Sequence, residues 1–199
     1  KGIKKNFYRN KLNVIHQSTN KKKINFQNKK KIIIFVGRLN KSKGYDIFGN
    51  AAIKILNKYP DWKAIAIGDE PREKIIFNHK RFENLGFQNN SKVTSWFKKS
   101  DISVVCSRIN EPFGRTALEA SSAGCAVIIK NRGGLPEASP SALKIKNLSI
   151  KNLQKKIEKL INNENYKKDI QKKIYKNFKL TNILASKKID KYRIKFIKS

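Results

Sequence analysis

The sequence predicts an α/β domain built on a doubly wound, mostly parallel sheet of the Rossmann type. Two observations lead there. Short apolar, β-branched runs recur along the chain, and the clearest, Ile32-Ile33-Ile34-Phe35-Val36, is apolar at every position. A strand apolar on both faces belongs in a sheet covered on both faces. Between the runs lie segments with apolar residues at helical spacing, and that alternation is the pattern of βαβ units.

Residues 1 to about 30 are basic and weakly patterned, and they read as a linker or the end of a preceding domain. The first strand, 32–36, closes on Gly37. Ser42 opens a helical pattern through Ile47, Phe48, Ala51, Ala52, Ile55 and Leu56, which Tyr59-Pro60 stops. Ala64-Ile65-Ala66-Ile67 is the next strand, closed by Gly68-Asp69. A short helix is expected over 71–78, and Leu85-Gly86-Phe87 reads as a short strand or turn. A helix follows over 91–99, then the strand Ile102-Ser103-Val104-Val105-Cys106. The next helix begins near Phe113 and runs to about Ala123, and Ala126-Val127-Ile128-Ile129 is the strand after it. Ala142-Leu143-Lys144-Ile145 is a candidate for one more strand. Beyond Ser149 the chain is helical and polar, marked by Leu153, Ile157, Leu160 and Ile161. The expected organisation is therefore a linker at 1–30, an α/β core at 31–150 and helices at 151–199.

A chain of 199 residues that is 39% hydrophobic and 30% charged is long enough for one domain with a sizeable core. No apolar run approaches the ~20 residues of a membrane-spanning helix. The start, Lys1-Gly2-Ile3-Lys4-Lys5, has neither Met nor an apolar signal core, so a fragment without a secretory signal is expected. Cys106 and Cys125 are not in a CxxC pair, and His16 and His79 are distant from both in sequence. Metal-ligand spacing is absent. Small buried thiols in a reducing cytoplasm are expected instead.

The net charge of +32 admits three readings. The chain could meet a nucleic acid, or an anionic membrane surface on the cytoplasmic side. It could also simply be rich in Lys, Asn and Ile. The excess is mostly Lys and is scattered, whereas nucleic-acid readers lean on Arg and interleaved aromatics.

In open α/β sheets ligands bind outside the carboxyl ends of the strands. The special residues of this chain fall there: Gly37-Arg38, Gly68-Asp69, the stretch from Ser107 to Glu111, and the stretch from Asn131 to Gly134. Turn glycines alone would not require an Arg, an Asp and a Glu beside them. The strongest segment is Glu111-Pro112-Phe113-Gly114-Arg115-Thr116-Ala117-Leu118-Glu119-Ala120. Pro112 disfavours helix at Glu111 and suits a first helical turn, so Glu111 should lie in a loop. The amides of Phe113, Gly114 and Arg115 should then form a helix N-terminus, which favours anions. Two turns of helix would put Glu119 on the order of 10 Å beyond Glu111. That is wider than the carboxylate pair of a glycoside hydrolase and suits two hydroxylated rings separated by a diphosphate.

This segment resembles the Glu-x7-Glu motif of family 4 retaining glycosyltransferases of the GT-B fold. Other pieces agree in order: Phe35-Val36-Gly37-Arg38-Leu39 with Lys43-Gly44, then Ala66-Ile67-Gly68-Asp69, Gly86-Phe87, Ser100-Asp101-Ile102 and Ser107. Gly124-Cys125-Ala126-Val127 and Gly133-Gly134-Leu135-Pro136-Glu137 complete the set, which spans about 31–137. The resemblance implies the nucleotide-sugar-binding, carboxyl-terminal half of such an enzyme. It implies that Arg38 and Lys43 hold the donor diphosphate and that Glu111 accepts from hydroxyls of the donor sugar. Glu119 would accept from the ribose hydroxyls. Gly37, Phe113, Gly114 and Arg115 would line the donor, with the nucleobase near 86–93. Arg108 and Arg115 are candidates for phosphate or acceptor contacts.

The implied reaction is retaining transfer from a nucleoside-diphosphate sugar to a glycan or glycolipid of an envelope polysaccharide. No Asp-x-Asp pair exists, so neither a metal nor another cofactor is expected. Asp69-Glu70-Pro71 replaces a more usual Gly-rich turn, which leaves that loop's role open. The acceptor-binding N-terminal domain is expected to be absent, Val14-Ile15-His16-Gln17 to be the end of the interdomain linker, and the chain to be inactive alone. A non-catalytic nucleotide-sugar-binding module and a basic nucleic-acid-binding domain are the alternatives.

Overall fold

The computed structural model describes residues 13–197. Six parallel strands form one sheet in the order β3-β2-β1-β4-β5-β6. They are β1 (Lys30–Val36), β2 (Lys63–Ile67), β3 (Phe82–Asn84), β4 (Ser100–Val105), β5 (Ala126–Lys130) and β6 (Leu143–Ile145). The wholly apolar runs occupy the centre, where β1 pairs with β2 on one side and β4 on the other. Ile32, Ile33, Ile34 and Phe35 are all buried, as a strand covered on both faces requires.

The helices follow from the right-handed rule for parallel crossovers. From β1 the chain moves one way through α1 (Tyr45–Lys58) to β2. From β4 it moves the other way through α3 (Arg115–Ser122) to β5, so these helices lie on opposite faces. The crossings through α2 (Asn90–Lys99) and α4 (Leu135–Ala138) share the direction of the α3 crossing, and both helices pack on α3. On the other face α1 packs against α5 (Ile150–Ile161). Helices α6 (Glu164–Lys176) and α7 (Asn182–Ile197) follow. In α1 the buried Ile47, Phe48, Ala51, Ala52, Ile55 and Leu56 form one stripe, and the helix stops before Pro60 because a residue preceding proline avoids helical dihedrals. Asn89, Ser149 and Asn163 cap α2, α5 and α6 by accepting backbone N–H bonds. Among the described residues no helix is long and apolar enough to cross a membrane.

Three expectations need correction. The helix over 71–78 does not form. Ile75 and Phe77 turn inward while Ile76 between them is 83% exposed, a period of two that belongs to extended chain. Phe77 packs on Tyr45 and Phe82. Of the two readings of Leu85-Gly86-Phe87, strand or turn, the strand does not form there: the chain bends at Gly86, φ +62°, and the short strand is Phe82–Asn84, whose buried Phe82 is in register with Ala64. The segment expected as a linker is fastened to the domain from Thr19 onward. Thr19 N–H donates to Leu180, Lys22 N–H donates to Ser122, and the Tyr175 hydroxyl donates to Lys22. The Lys29 ammonium donates to the carbonyls of Phe97, Lys98, Ser100 and Ala123. It thereby closes the carboxyl ends of α2 and α3, where cations are favoured. Residues 1–12 of that segment lie outside the described residues.

Candidate functional site

The strand order reverses between β1 and β4, and the crevice outside their carboxyl ends is the expected ligand position in such a sheet. Three loops meet there. The first runs from Gly37 to Gly44. Buried Asn40 organises it: its side-chain oxygen accepts from the Lys43 N–H at 3.0 Å and the Ser42 hydroxyl at 2.8 Å. A single 3-10 turn, Lys41–Lys43, follows, and Gly44 turns the chain into α1 at φ +77°. A Cβ at Gly44 would lie 2.2 Å from the carbonyl oxygen of Cys106, so only glycine lets the two loops touch.

The second loop, 106–114, is stitched to the first. The Cys106 thiol, pushed up to about 12 by burial, donates to the Gly44 carbonyl at 3.3 Å. The Arg108 N–H donates to the Ser42 carbonyl at 2.8 Å. The Arg108 guanidinium grips Asp46 with both arms, at 2.6 and 2.7 Å, and also donates to the Lys41 carbonyl. Burial pushes the Asp46 carboxyl up, but Arg108 outweighs it and holds it below the usual carboxylate range. Farther along, the Lys43 ammonium lies 2.5 Å from the Glu111 carboxylate, both largely shielded from solvent.

The third loop, 131–134, supports Glu111 from behind. The Gly134 N–H donates to the Glu111 carbonyl at 2.7 Å, and a Cβ at Gly134 would lie 2.5 Å from both the Pro112 oxygen and the Phe113 Cα. Any side chain there would displace the Glu111 loop.

Of the residues singled out by sequence, Lys43 and Glu111 are brought into contact, and Gly37 and Arg38 directly follow β1 at its carboxyl end. The exposed Arg38 side chain makes no hydrogen bond or ion pair with another side chain among the described residues. Helix α3 begins at Arg115, two residues later than expected, because Gly114 at φ +108° is its cap. Its first free amides are therefore those of Arg115, Thr116 and Ala117. Phe113 is buried before the helix and stacks on His16 at 5.4 Å. Helical rise separates Glu119 only from Arg115, so the expected two-turn spacing from Glu111 was drawn on the wrong backbone. Glu119 accepts from Arg115 at 3.0 Å.

The Asp69-Glu70-Pro71 loop has a part that sequence reasoning left open: it braces the first loop. Leu39 N–H donates to the Asp69 carbonyl at 3.3 Å, and Lys41 N–H donates to Glu73. Arg72 and Asn40 both donate to Glu70 and hold its carboxyl at about 2. Nearby, the Gly68 N–H donates to the Gly86 carbonyl, and Phe87 stands 74% exposed at the crevice's edge. Trp62 and Trp96 pack within the structure. A hollow of about 1110 Å³ lies at the opposite end of the sheet, against Lys29, Trp62, Asp101 and Lys167. Lys29, Lys31 and Lys167 there are already engaged by carbonyls or carboxylates, whereas Arg38 at the crevice has no such partner among the described residues.

A Rossmann-like, all-parallel sheet of six strands with helices on both faces has the architecture of one half of a GT-B glycosyltransferase. The chain belongs to the glycosyl transferases group 1 family, whose model matches residues 16–177. An uncharacterized glycosyltransferase of Methanocaldococcus jannaschii is 33% identical over 130 residues, 59% of this chain and 31% of that protein. The C-terminal domain of a group 1 glycosyl transferase from Francisella tularensis superposes with a TM-score of 0.66 at 28% identity, covering 82% of this chain and 93% of that one. A pneumococcal O-GlcNAc transferase in complex with UDP and GlcNAc gives a TM-score of 0.78 at 18% identity, covering 92% of this chain and 39% of that one. The chain spans about a third of the length of the curated relatives it matches, for example 31% and 32% of two of them.

Proposed function

We propose that this domain holds the donor of a retaining sugar transfer, a nucleoside-diphosphate sugar, in the crevice beyond β1 and β4. The carrying observation is the 2.5 Å meeting of Lys43 with Glu111 at the switch point. A cation suited to phosphate lies beside a carboxylate suited to sugar hydroxyls, and the free amides of α3 adjoin them. In this reading Arg38 and Lys43 take the diphosphate, Glu111 the sugar hydroxyls and Glu119 the ribose. Gly37 and Gly114 leave room for the donor, and Phe87 offers an exposed ring to the base. An acceptor hydroxyl oxygen bonds to the anomeric carbon on the face that the diphosphate leaves, the bond from that carbon to the diphosphate oxygen breaks, the hydroxyl proton passes to the departing diphosphate, and negative charge grows on that group as it leaves. Arg38, Lys43 and the α3 amides stabilise that charge, so catalysis is positioning plus electrostatics. The acceptor, a glycan or glycolipid, would be held by parts of the protein beyond these residues. No divalent metal is required.

Calorimetric titration of UDP, GDP and ADP in the presence of EDTA tests this reading. One of them is expected to bind with micromolar to millimolar affinity. Arg38→Ala should weaken it by about 10- to 150-fold, the value of one or two charge-assisted hydrogen bonds. Equal binding by wild type and Arg38→Ala would remove the phosphate assignment.

A further inference from the structure

The Arg108–Asp46 pair is not used by the donor chemistry, yet it joins the two loops that carry it. Asp46 lies in the first turn of α1, three residues after Lys43, and Arg108 lies three residues before Glu111. The same two segments are thus bridged twice, with opposite polarity. Lys43 on the first meets Glu111 on the second, and Asp46 on the first meets Arg108 on the second. A slip of one segment past the other would set like charges face to face.

We propose that Arg108 is a positioning residue: through Asp46 it fixes the loop bearing Lys43 against the loop bearing Glu111, so that a donor meets both groups at once. This rests on the donor-site reading above. A donor draws Lys43 toward phosphate and Glu111 toward hydroxyls, which loosens their mutual contact. The Arg108–Asp46 pair has no share in the ligand and keeps the gap. Its geometry suits the task, because a guanidinium bound through both arms fixes direction as well as distance, which an ammonium does not. The pair is partly exposed, with side chains 39% and 25% accessible, so global stability depends little on it. The backbone bond from Arg108 to Ser42 and the Cys106–Gly44 contact survive any change of side chain at 108.

The test compares wild type with Arg108→Gln, Arg108→Lys, Asp46→Asn and the double variant Arg108→Gln/Asp46→Asn. Three quantities are read: affinity for UDP, GDP and ADP, the thermal midpoint, and hydrogen exchange of the amides at 42–45 without ligand. The expected result is about a 10-fold loss of nucleotide affinity in each single variant, Arg108→Lys included. The double variant should be no worse than either single one, as members of one pair are non-additive. The midpoint should barely move, and exchange at 42–45 should quicken. Loss of affinity in Arg108→Gln but not in Asp46→Asn would overturn the proposal, because Arg108 would then touch the ligand itself. Unchanged exchange would overturn it as well. If wild type binds none of the nucleotides, the donor reading fails, and exchange alone decides the clamp: quickening supports it and no change overturns it.

Discussion

Asp101→Ala is expected to destabilise the domain by about 3–5 kcal/mol, the usual cost of stripping one partner from a buried ion pair. Asp101 sits at the amino end of β4, and its carboxylate lies 2.8 Å from the ammonium of Lys167, itself only 1% exposed. Gln171 donates to the same residue twice, at 2.9 and 3.0 Å. The indole of Trp62 faces the ammonium at 5.0 Å. Without Asp101, the one carboxylate left to Lys167 among the described residues is Glu164, which is half in solvent. For a domain of this size the loss corresponds to a thermal shift of about 6–20 °C. Asp101→Leu combined with Lys167→Met should recover most of it, since paired apolar replacements remove the unpaired charge. Equilibrium unfolding of the three proteins measures both effects, and a change below about 1 kcal/mol in Asp101→Ala would contradict the assignment. Asp101 was singled out by family resemblance, yet its place is structural: it pins α6 under the sheet, at the opposite end from the crevice.

Lys43→Ala should have the largest effect on ligand binding, about 100-fold or more in nucleotide affinity. Two losses combine. The phosphate gives up a charge-assisted hydrogen bond, and Glu111, which is 14% exposed, is left unpaired beside an arriving anion. Adding Glu111→Gln to Lys43→Ala should therefore restore part of the affinity, although Glu111→Gln alone does not improve it. Calorimetry on the four proteins of this cycle reads the coupling directly. Strictly additive effects would mean that the two side chains act on the ligand separately.

The sheet was legible because its central strands are apolar on both faces, and the loops that matter were legible because charges stand just beyond those strands. What failed was local. Ile75 and Phe77 look helical only if Ile76 between them is counted as buried, and only Phe82's place beside Ala64 shows where β3 lies. The ties of the site are long-range: Lys43 to Glu111 spans 68 positions, and Asp46 to Arg108 spans 62. In a chain with 46 lysines and arginines, no spacing rule marks which cation meets which of 14 carboxylates. The scarcity of acids was the available signal, because three acids near the motifs proved to be engaged: Asp46 by Arg108, Glu70 by Asn40 and Arg72, and Glu111 by Lys43. The brace at Asp69-Glu70-Pro71 escaped notice because it acts on the neighbouring loop and not on a ligand.

The central claim is that the crevice beyond β1 and β4 holds a nucleoside diphosphate. A crystal structure of the chain with the best-binding of UDP, GDP and ADP tests it most directly. The diphosphate is expected within hydrogen-bonding distance of Arg38 and Lys43 and in front of the first amides of α3, with the ribose reaching toward Glu119. A nucleotide seated instead in the hollow near Lys29 and Lys167, with Arg38 and Lys43 untouched, would contradict the account.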